Sequence, residues 1–386
     1  MDSLHFDGCQ ARHYAPRSLL LQWHVTERCN LRCAHCYQES YCSPELSLDE
    51  LLGILAQFEE LLVSWRQRNG ARGTRGHITI TGGEPFVRRD FLDLLEVFAA
   101  RRERFSFAIL TNGHFIDAPM ARRLRTLGPS FVQVSLEGTQ ATHDRIRGAG
   151  AFERAVAALR HLRREGIPSL IAFTAHRGNF REFPEVARLG QRLRVDRVWA
   201  DRLIPSGEGS ALGGEALTLE ETREFFELMR EARREGERRW FGHTEVAMHR
   251  ALQFLVEPGR PYHCTAGDTL LTIMPNGDLY PCRRMPIRVG NVLETPLRRL
   301  YYESELLRAL REPDRVSRGC EGCSFNRLCR GGLKCLSYAL TGDPFEGDPG
   351  CWLGKGSRSR TLTPALSHRM GEGETSSGAR RSQPRR

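Results

Sequence analysis

Short apolar runs and stretches of helical periodicity alternate through the first half of this 386-residue chain. Residues 19–26 are apolar enough for a buried strand, and after Ser47 the apolar residues Leu51, Leu52, Ile54, Leu55, Phe58, Leu61 and Leu62 recur at helical spacing. Ser47, with Glu50 three residues on, is a reciprocal cap for that helix. Further strands are predicted at 77–81, 105–110, 131–136, 169–174 and 196–201, and helices at 90–101, 118–127, 151–164 and 181–191. Six strand–helix units, less the last helix, imply parallel strands joined by right-handed crossovers. They are too few for a closed eight-stranded barrel and fit an open one, so the pattern predicts an α/β fold with a partial (β/α)6 TIM-type barrel. In such barrels the chemistry sits at the C-terminal strand ends.

Beyond the barrel, Pro205, Gly207, Gly209, Gly213 and Gly214 read as a flexible exit. Helices are expected from 217 to about 234 and over 246–256. Asn276-Gly277, between 271–273 and 279–280, signals a hairpin. The chain thus divides into an N-terminal segment (1–18), the barrel (19–207), a helical bridge (208–260), a Cys-rich α+β domain (261–352) and a basic tail (353–386).

At 40% hydrophobic, the chain can bury a sizeable core and has room for about two domains. It has no apolar run long enough for a membrane span and no secretory signal at its start, which points to the cytoplasm. The net charge of +10 raises a nucleic-acid partner as an option. However, the tail carries eight basic and two acidic residues, leaving only about +4 for the body, which argues against nucleic acid. Rich in Ser, Gly, Pro and Arg, the tail reads as disordered. The start of the barrel near Leu19 leaves no room for a fused N-terminal recognition domain.

Twelve cysteines in a reducing compartment point to metal binding or catalysis rather than disulfides. Cys9 and Cys42 stand alone and read as small buried hydrophobes. Cys29, Cys33 and Cys36 end the first strand at the spacing C-x3-C-x2-C, without the fourth thiol that would close an iron–sulfur site. Three ligands leave an open iron, as a catalytic site does. The C-terminal part carries Cys264, Cys282, Cys320, Cys323, Cys329, Cys335 and Cys351, for which zinc is a structural alternative. Two function classes follow: an iron–sulfur enzyme, or a zinc-stabilised binding module.

The three-Cys loop, with the ring of His35 before its last thiol, resembles the signature of the radical S-adenosylmethionine (SAM) enzymes. The resemblance implies a 4Fe–4S cluster whose open iron chelates SAM and whose electron cleaves it to a 5′-deoxyadenosyl radical. Gly82-Gly83-Glu84-Pro85, after the second strand, matches the family motif that holds the methionyl amine. Asn112 and Ser135 stand at strand ends where the family contacts the ribose and carboxylate. Ser135-Leu136-Glu137-Gly138 resembles the family's Ser-Leu-Asp-Gly, with Glu137 in place of Asp, and His143, Asp144 and Arg147 match the stretch that follows.

The C-terminal thiols resemble the SPASM extension of radical SAM maturases, which binds auxiliary Fe–S clusters. The resemblance implies an outer cluster on Cys320, Cys323, Cys329 and Cys351, and an inner one on Cys264, Cys282 and Cys335. Leu333 occupies a slot where the family has Cys, and the thiol arrives two positions later at Cys335. One or two auxiliary 4Fe–4S clusters are therefore expected. The implied substrate is a peptide or protein, with peptide cross-linking first. Formylglycine formation on sulfatases comes second because Arg283 stands where that branch has an acid, and cofactor precursors are a further option. An exposed strand edge near the barrel mouth is expected to take an extended leader peptide. A separate leader-recognition protein and an electron donor such as flavodoxin or ferredoxin complete the expected partners.

Overall fold

The computed structural model describes residues 18–69, 75–238 and 244–353. Most of the N-terminal segment, with Cys9, and all but the first residue of the basic tail lie outside the described residues.

The strands are β1 (Leu20–His24), β2 (Gly76–Thr81), β3 (Phe105–Thr111), β4 (Val132–Ser135), β5 (Ser169–Ala175), β6 (Arg197–Arg202), β7 (Glu245–Val246), β8 (Leu270–Ile273), β9 (Asp278–Tyr280) and β10 (Gly290–Asn291). They form one sheet in the order β10-β9-β8-β1-β2-β3-β4-β5-β6-β7. Pairing is parallel from β8 through β1 to β7, with Leu20 opposite His77 on one side and Leu270 on the other. The expected six-strand run is therefore present, and it is extended at both edges.

Helices α1 (Leu48–Arg68), α2 (Phe91–Ala100), α3 (Ala118–Leu127), α4 (Gln140–Arg147), α5 (Ala151–Arg164), α6 (Phe183–Leu193) and α7 (Leu219–Glu237) accompany the barrel. Helices α8 (Leu297–Glu303), α9 (Glu305–Arg311), α10 (Asn326–Cys329) and α11 (Lys334–Thr341) follow the β8–β9 hairpin. Ser47 and Glu50 cap α1 reciprocally: the Ser47 N–H donates to Oε2 of Glu50 at 2.7 Å and the Glu50 N–H to Oγ of Ser47 at 3.3 Å. None of the described helices is long and apolar enough to cross a membrane.

Alternation along the strands decides what the barrel contains. Trp23 packs on Phe98 of α2, Phe105 and Phe107 meet the same ring, and Phe173 meets Phe183 of α6 and Phe225 of α7. These residues face the helices, so their neighbours face the lumen: Gln22, His24, Thr79, Thr81, Gln133, Ser135, Thr174, Trp199 and Asp201. A core of Leu, Ile, Val and Phe therefore lies outside the sheet, and the inside is polar and only partly closed.

Three expectations are corrected. Residues 246–256 do not form a helix: β7 extends the sheet at Glu245–Val246, and only Gln253–Leu255 makes a 3-10 turn. The segment 208–260 is thus not a purely helical bridge, and the boundary at 261 does not interrupt the sheet, because β8 pairs with β1. The glycine-rich exit is a 3-10 strap, Gly207–Glu215, laid on the three-Cys loop. The Gly209 N–H donates to the Cys36 carbonyl at 2.7 Å and the Glu208 N–H to the Gln38 carbonyl at 3.2 Å. Gly207 has φ +61°, and a Cβ there would lie 2.3 Å from the carbonyl carbon of Tyr37, so glycine serves close approach at this position.

Candidate active site

The loop carrying Cys29, Cys33 and Cys36 follows β1 and is fastened from four directions. The Gly83 N–H donates to the Thr26 carbonyl and the Glu84 N–H to the Arg28 carbonyl, both at 2.9 Å. A Cβ on Gly82 or Gly83 would stand 2.4 Å from a carbonyl oxygen of residues 26 or 28. The two glycines of this turn are therefore needed for its contact with the Cys loop. On another side, the Ala34 N–H donates to the Ile146 carbonyl of α4 at 2.9 Å. The 207–215 strap supplies a third contact. Asn112 supplies the fourth, donating through Nδ2 to Oδ1 of Asn30 at 2.9 Å.

Glu84 and Glu137 are buried and engaged by the protein itself. Glu84 accepts from Oγ1 of Thr111 at 2.9 Å, the Asn112 N–H at 2.8 Å and the Phe86 N–H at 3.3 Å. Burial pushes its carboxyl up to about 7, against the pull of these donors. Pro85 opens the 3-10 turn that follows. Glu137 accepts from Nη2 of Arg147 and from the Thr174 N–H at 2.8 Å, and pairs with Nε2 of His35 at 3.1 Å. Burial would raise its carboxyl, but Arg147 and His35 prevail and hold it below the ordinary carboxylate range. The extra methylene of Glu137 is thus accommodated in an Arg147–Glu137–His35 network. Ser135 ends β4 half-buried in the lumen.

Helix α4, unforeseen in the strand–helix pattern, brings Arg147 under the loop, where Nη1 donates to Sγ of Cys33 at 3.6 Å. Its own helical signal is faint, because Gln140–Arg147 is short and mostly polar. Burial raises the thiols of Cys29, to about 11, and of Cys33, where Arg147 opposes it. Three thiols crowded into one loop suit a centre that takes up the negative charge of their thiolates.

The C-terminal thiols form two groups. Cys320, Cys323, Cys329 and Cys351 line one cavity with Leu252, Phe254 and Asp348. Burial pushes Cys320 up to about 11 and Cys329 to about 12. Cys264, Cys282 and Cys335 are buried, and burial, followed by the neighbouring cysteines, raises the thiols of Cys264 and Cys335. Leu333 caps α11, and its N–H donates to Oδ2 of Asp348 at 2.9 Å. Cys335, in the first turn of α11, thereby comes to the other two. Cys42 is exposed, contrary to its expected burial. Among the described residues, no group of three or more His, Cys, Asp or Glu is spaced to hold a single metal ion.

Between the Cys loop and the inner thiols lie residues the motifs did not single out. His24, at the end of β1, is buried, its Nε2 has no partner, and burial followed by the charge of Arg283 keeps it neutral. Asp201, at the end of β6, accepts from Nη1 of Arg284 at 2.8 Å. Arg202 meets both oxygens of Asp348, at 2.8 and 2.6 Å, and ties the barrel to the four-thiol cavity. Arg283 is buried and donates to the Tyr37 carbonyl at 3.0 Å. Polar residues at alternate positions of apolar strands were the signal for His24 and Asp201.

The family model of the radical SAM superfamily matches residues 23–190, and that of the SPASM iron–sulfur cluster-binding domain matches 264–324. The chain is similar to the mycofactocin maturase MftC of Mycolicibacterium smegmatis, at 32% identity over 88% of this chain and 84% of that protein. It is also similar to the AdoMet-dependent heme synthase of Methanosarcina barkeri, at 27% identity over 87% and 96%. Among solved structures, Streptococcus suis SuiB bound to its precursor peptide SuiA shares the fold with a TM-score of 0.64, at 18% identity over 86% of this chain and 75% of that one.

Proposed function

We propose that this chain, which belongs to the radical SAM superfamily and carries a SPASM domain, modifies a ribosomally made peptide. Family membership makes it an enzyme that works with a 4Fe–4S cluster, SAM and auxiliary clusters. The observation that carries the peptide reading is the likeness to a maturase across 88% of the chain, at higher identity than to the heme synthase. SuiB with its precursor peptide supplies a fold precedent.

In this reading Cys29, Cys33 and Cys36 hold the SAM cluster. Cys320, Cys323, Cys329 and Cys351 hold the outer auxiliary cluster, and Cys264, Cys282 and Cys335 the inner one. When bound, the first cluster and SAM supply a radical able to take hydrogen from an unactivated carbon. The protein's own part is to hold that carbon at the strand ends and exclude water. Arg147 steadies Cys33 and, through Glu137, the ring of His35. His24, neutral and lacking a partner at Nε2, can make a hydrogen bond to substrate. Arg283, buried on Tyr37, puts a cation where the sulfatase branch needs an acid.

Among the described residues, the sheet ends in the two-residue strands β7 and β10, a short edge for an extended leader. A separate recognition protein for the leader and a flavodoxin- or ferredoxin-type electron donor fit this arrangement, in the cytoplasm.

A second reading has one observation in its favour: the match spans 96% of the heme synthase, so a tetrapyrrole precursor is the competing substrate. Co-expression with each short peptide encoded nearby, followed by intact-mass measurement, separates the two. A peptide mass change that vanishes with Cys29→Ala is the expected result. Unchanged peptides, together with SAM-dependent conversion of a porphyrin by the anaerobically reconstituted enzyme, would favour the second reading.

A further inference from the structure

The lumen near β6 holds a guanidinium with no ion pair of its own among the described residues: the carboxylate whose charge it feels, Asp201, is bonded to Arg284. Trp199 points inward from β6, and its Nε1 donates to Oε1 of Gln133 on β4 at 2.8 Å, so the indole bridges the lumen. The Ala247 N–H donates to the Val198 carbonyl at 2.9 Å, so the chain after β7 starts alongside the first half of β6 and runs parallel to it. From there Arg250 lies over the indole, its guanidinium carbon 4.4 Å from the ring centre and 5.9 Å from the ring of Tyr262. Two residues beyond Trp199, Asp201 receives Arg284.

The charges around this point do not balance. Arg202 is taken by Asp348, and Arg283 is turned to Tyr37. Arg284 faces Asp201, with the inner thiols Cys335 and Cys282 close by. Among the described residues, no carboxylate bridges to Arg250, and its guanidinium makes no side-chain hydrogen bond. Arg250 is half-buried, so its charge is partly desolvated while no carboxylate contacts it. An aromatic face steadies the cation while leaving its N–H edge free, and that edge matches a carboxylate in two-point geometry.

We propose that Arg250, over Trp199, and Arg284, beside Asp201, form a binding site for a substrate carboxylate at the open end of the barrel. The inference rests on the peptide-modifying reading in naming the group by which that substrate is held. A free peptide C-terminus and an Asp or Glu side chain both supply it.

Binding is measured by titration calorimetry on the anaerobically reconstituted full chain with SAM. The probes are N-acetyl-Phe-Phe and its C-terminal amide, N-acetyl-Glu-Phe-amide and its Gln counterpart, and coproporphyrin III and its tetramethyl ester. The expected result is a charged probe bound about tenfold to a hundredfold more tightly than its neutral twin. That preference should be lost in Arg250→Gln and in the paired variant Asp201→Asn with Arg284→Gln, which leaves no lone buried charge. It should persist in Arg181→Gln, a surface control. Preference within the first pair identifies a C-terminal carboxylate, and within the second a side chain. Preference for the porphyrin alone upholds the carboxylate site while removing the peptide reading. Equal binding or no binding of twins on every scaffold overturns the site, as does a preference that survives both variants.

Discussion

The three-thiol loop and the four-thiol cavity hold sulfur by different constructions. The loop places its thiols within eight residues but owes its shape to distant parts: the Gly82–Gly83 turn after β2, Asn112 after β3, α4, and the strap after β6. The cavity spans Cys320 to Cys351 and is shaped largely by its own turns. The Cys323 N–H donates to the Cys320 carbonyl, that of Cys329 to Phe325 and that of Cys351 to Asp348. A buried ion pair, Arg202–Asp348, links it to the barrel. The first site therefore depends on the barrel's closure around it, whereas the second is shaped locally and anchored by that ion pair and by the ring contacts Phe254–Phe325 and Phe226–Trp352.

The largest expected effect separates the two chemically. Replacing Cys29, Cys33 or Cys36 by Ala should abolish 5′-deoxyadenosine formation, whereas Cys323→Ala should retain some and stop product formation. Full turnover by Cys323→Ala would show that the cavity has no part in the reaction.

Next comes the latch. Arg202→Met strands Asp348, whose oxygens also accept from the N–H groups of Leu333 and Gly350. We expect a loss of about 3–5 kcal/mol in denaturant unfolding, with early release of iron from the C-terminal thiols. The double variant Arg202→Met with Asp348→Leu should recover part of that stability.

Gly207→Ala reverses the pattern. Its Cβ meets the Tyr37 backbone at 2.3 Å, and the φ of +61° is strained for alanine, at a cost of about 1–3 kcal/mol. Iron should fall at the loop and stay at the auxiliary sites, as read by electron paramagnetic resonance before and after SAM addition. Equal loss at both would contradict the role of the strap.

The smallest effect is in pH. Burial lowers His77 to about 4 and also His143 to about 4, where the charge of Arg147 adds to it, against an unfolded value near 6.5. The unfolded chain then binds more protons between these values, so stability is full above about 6.5 and falls as the pH drops toward 4. Neutral His143 accepts the Glu137 N–H at 3.1 Å, a bond that protonation removes. His143→Gln should flatten part of this acid limb in urea titrations at stepped pH.

Strand alternation and helical period determined much by themselves. The six parallel strands, the capped α1, the hairpin at Asn276-Gly277 and the grouping of cysteines follow from neighbours in sequence, where propensity and periodicity act. Helix α4 is short and polar, so its period is faint, and the 207–215 glycines read as loop because close approach to Tyr37 leaves no local mark. The helix expected over 246–256 gave way because β6 offered its 245–246 segment an edge to pair with. Tertiary structure alone decided that Cys335 reaches Cys264 and Cys282 despite Leu333. It also decided that Glu84 and Glu137 bind protein donors, and that Arg250 sits over an indole from another strand. Those outcomes depend on which distant groups share a buried space, where desolvation makes each unpaired charge or donor costly enough to select its partner.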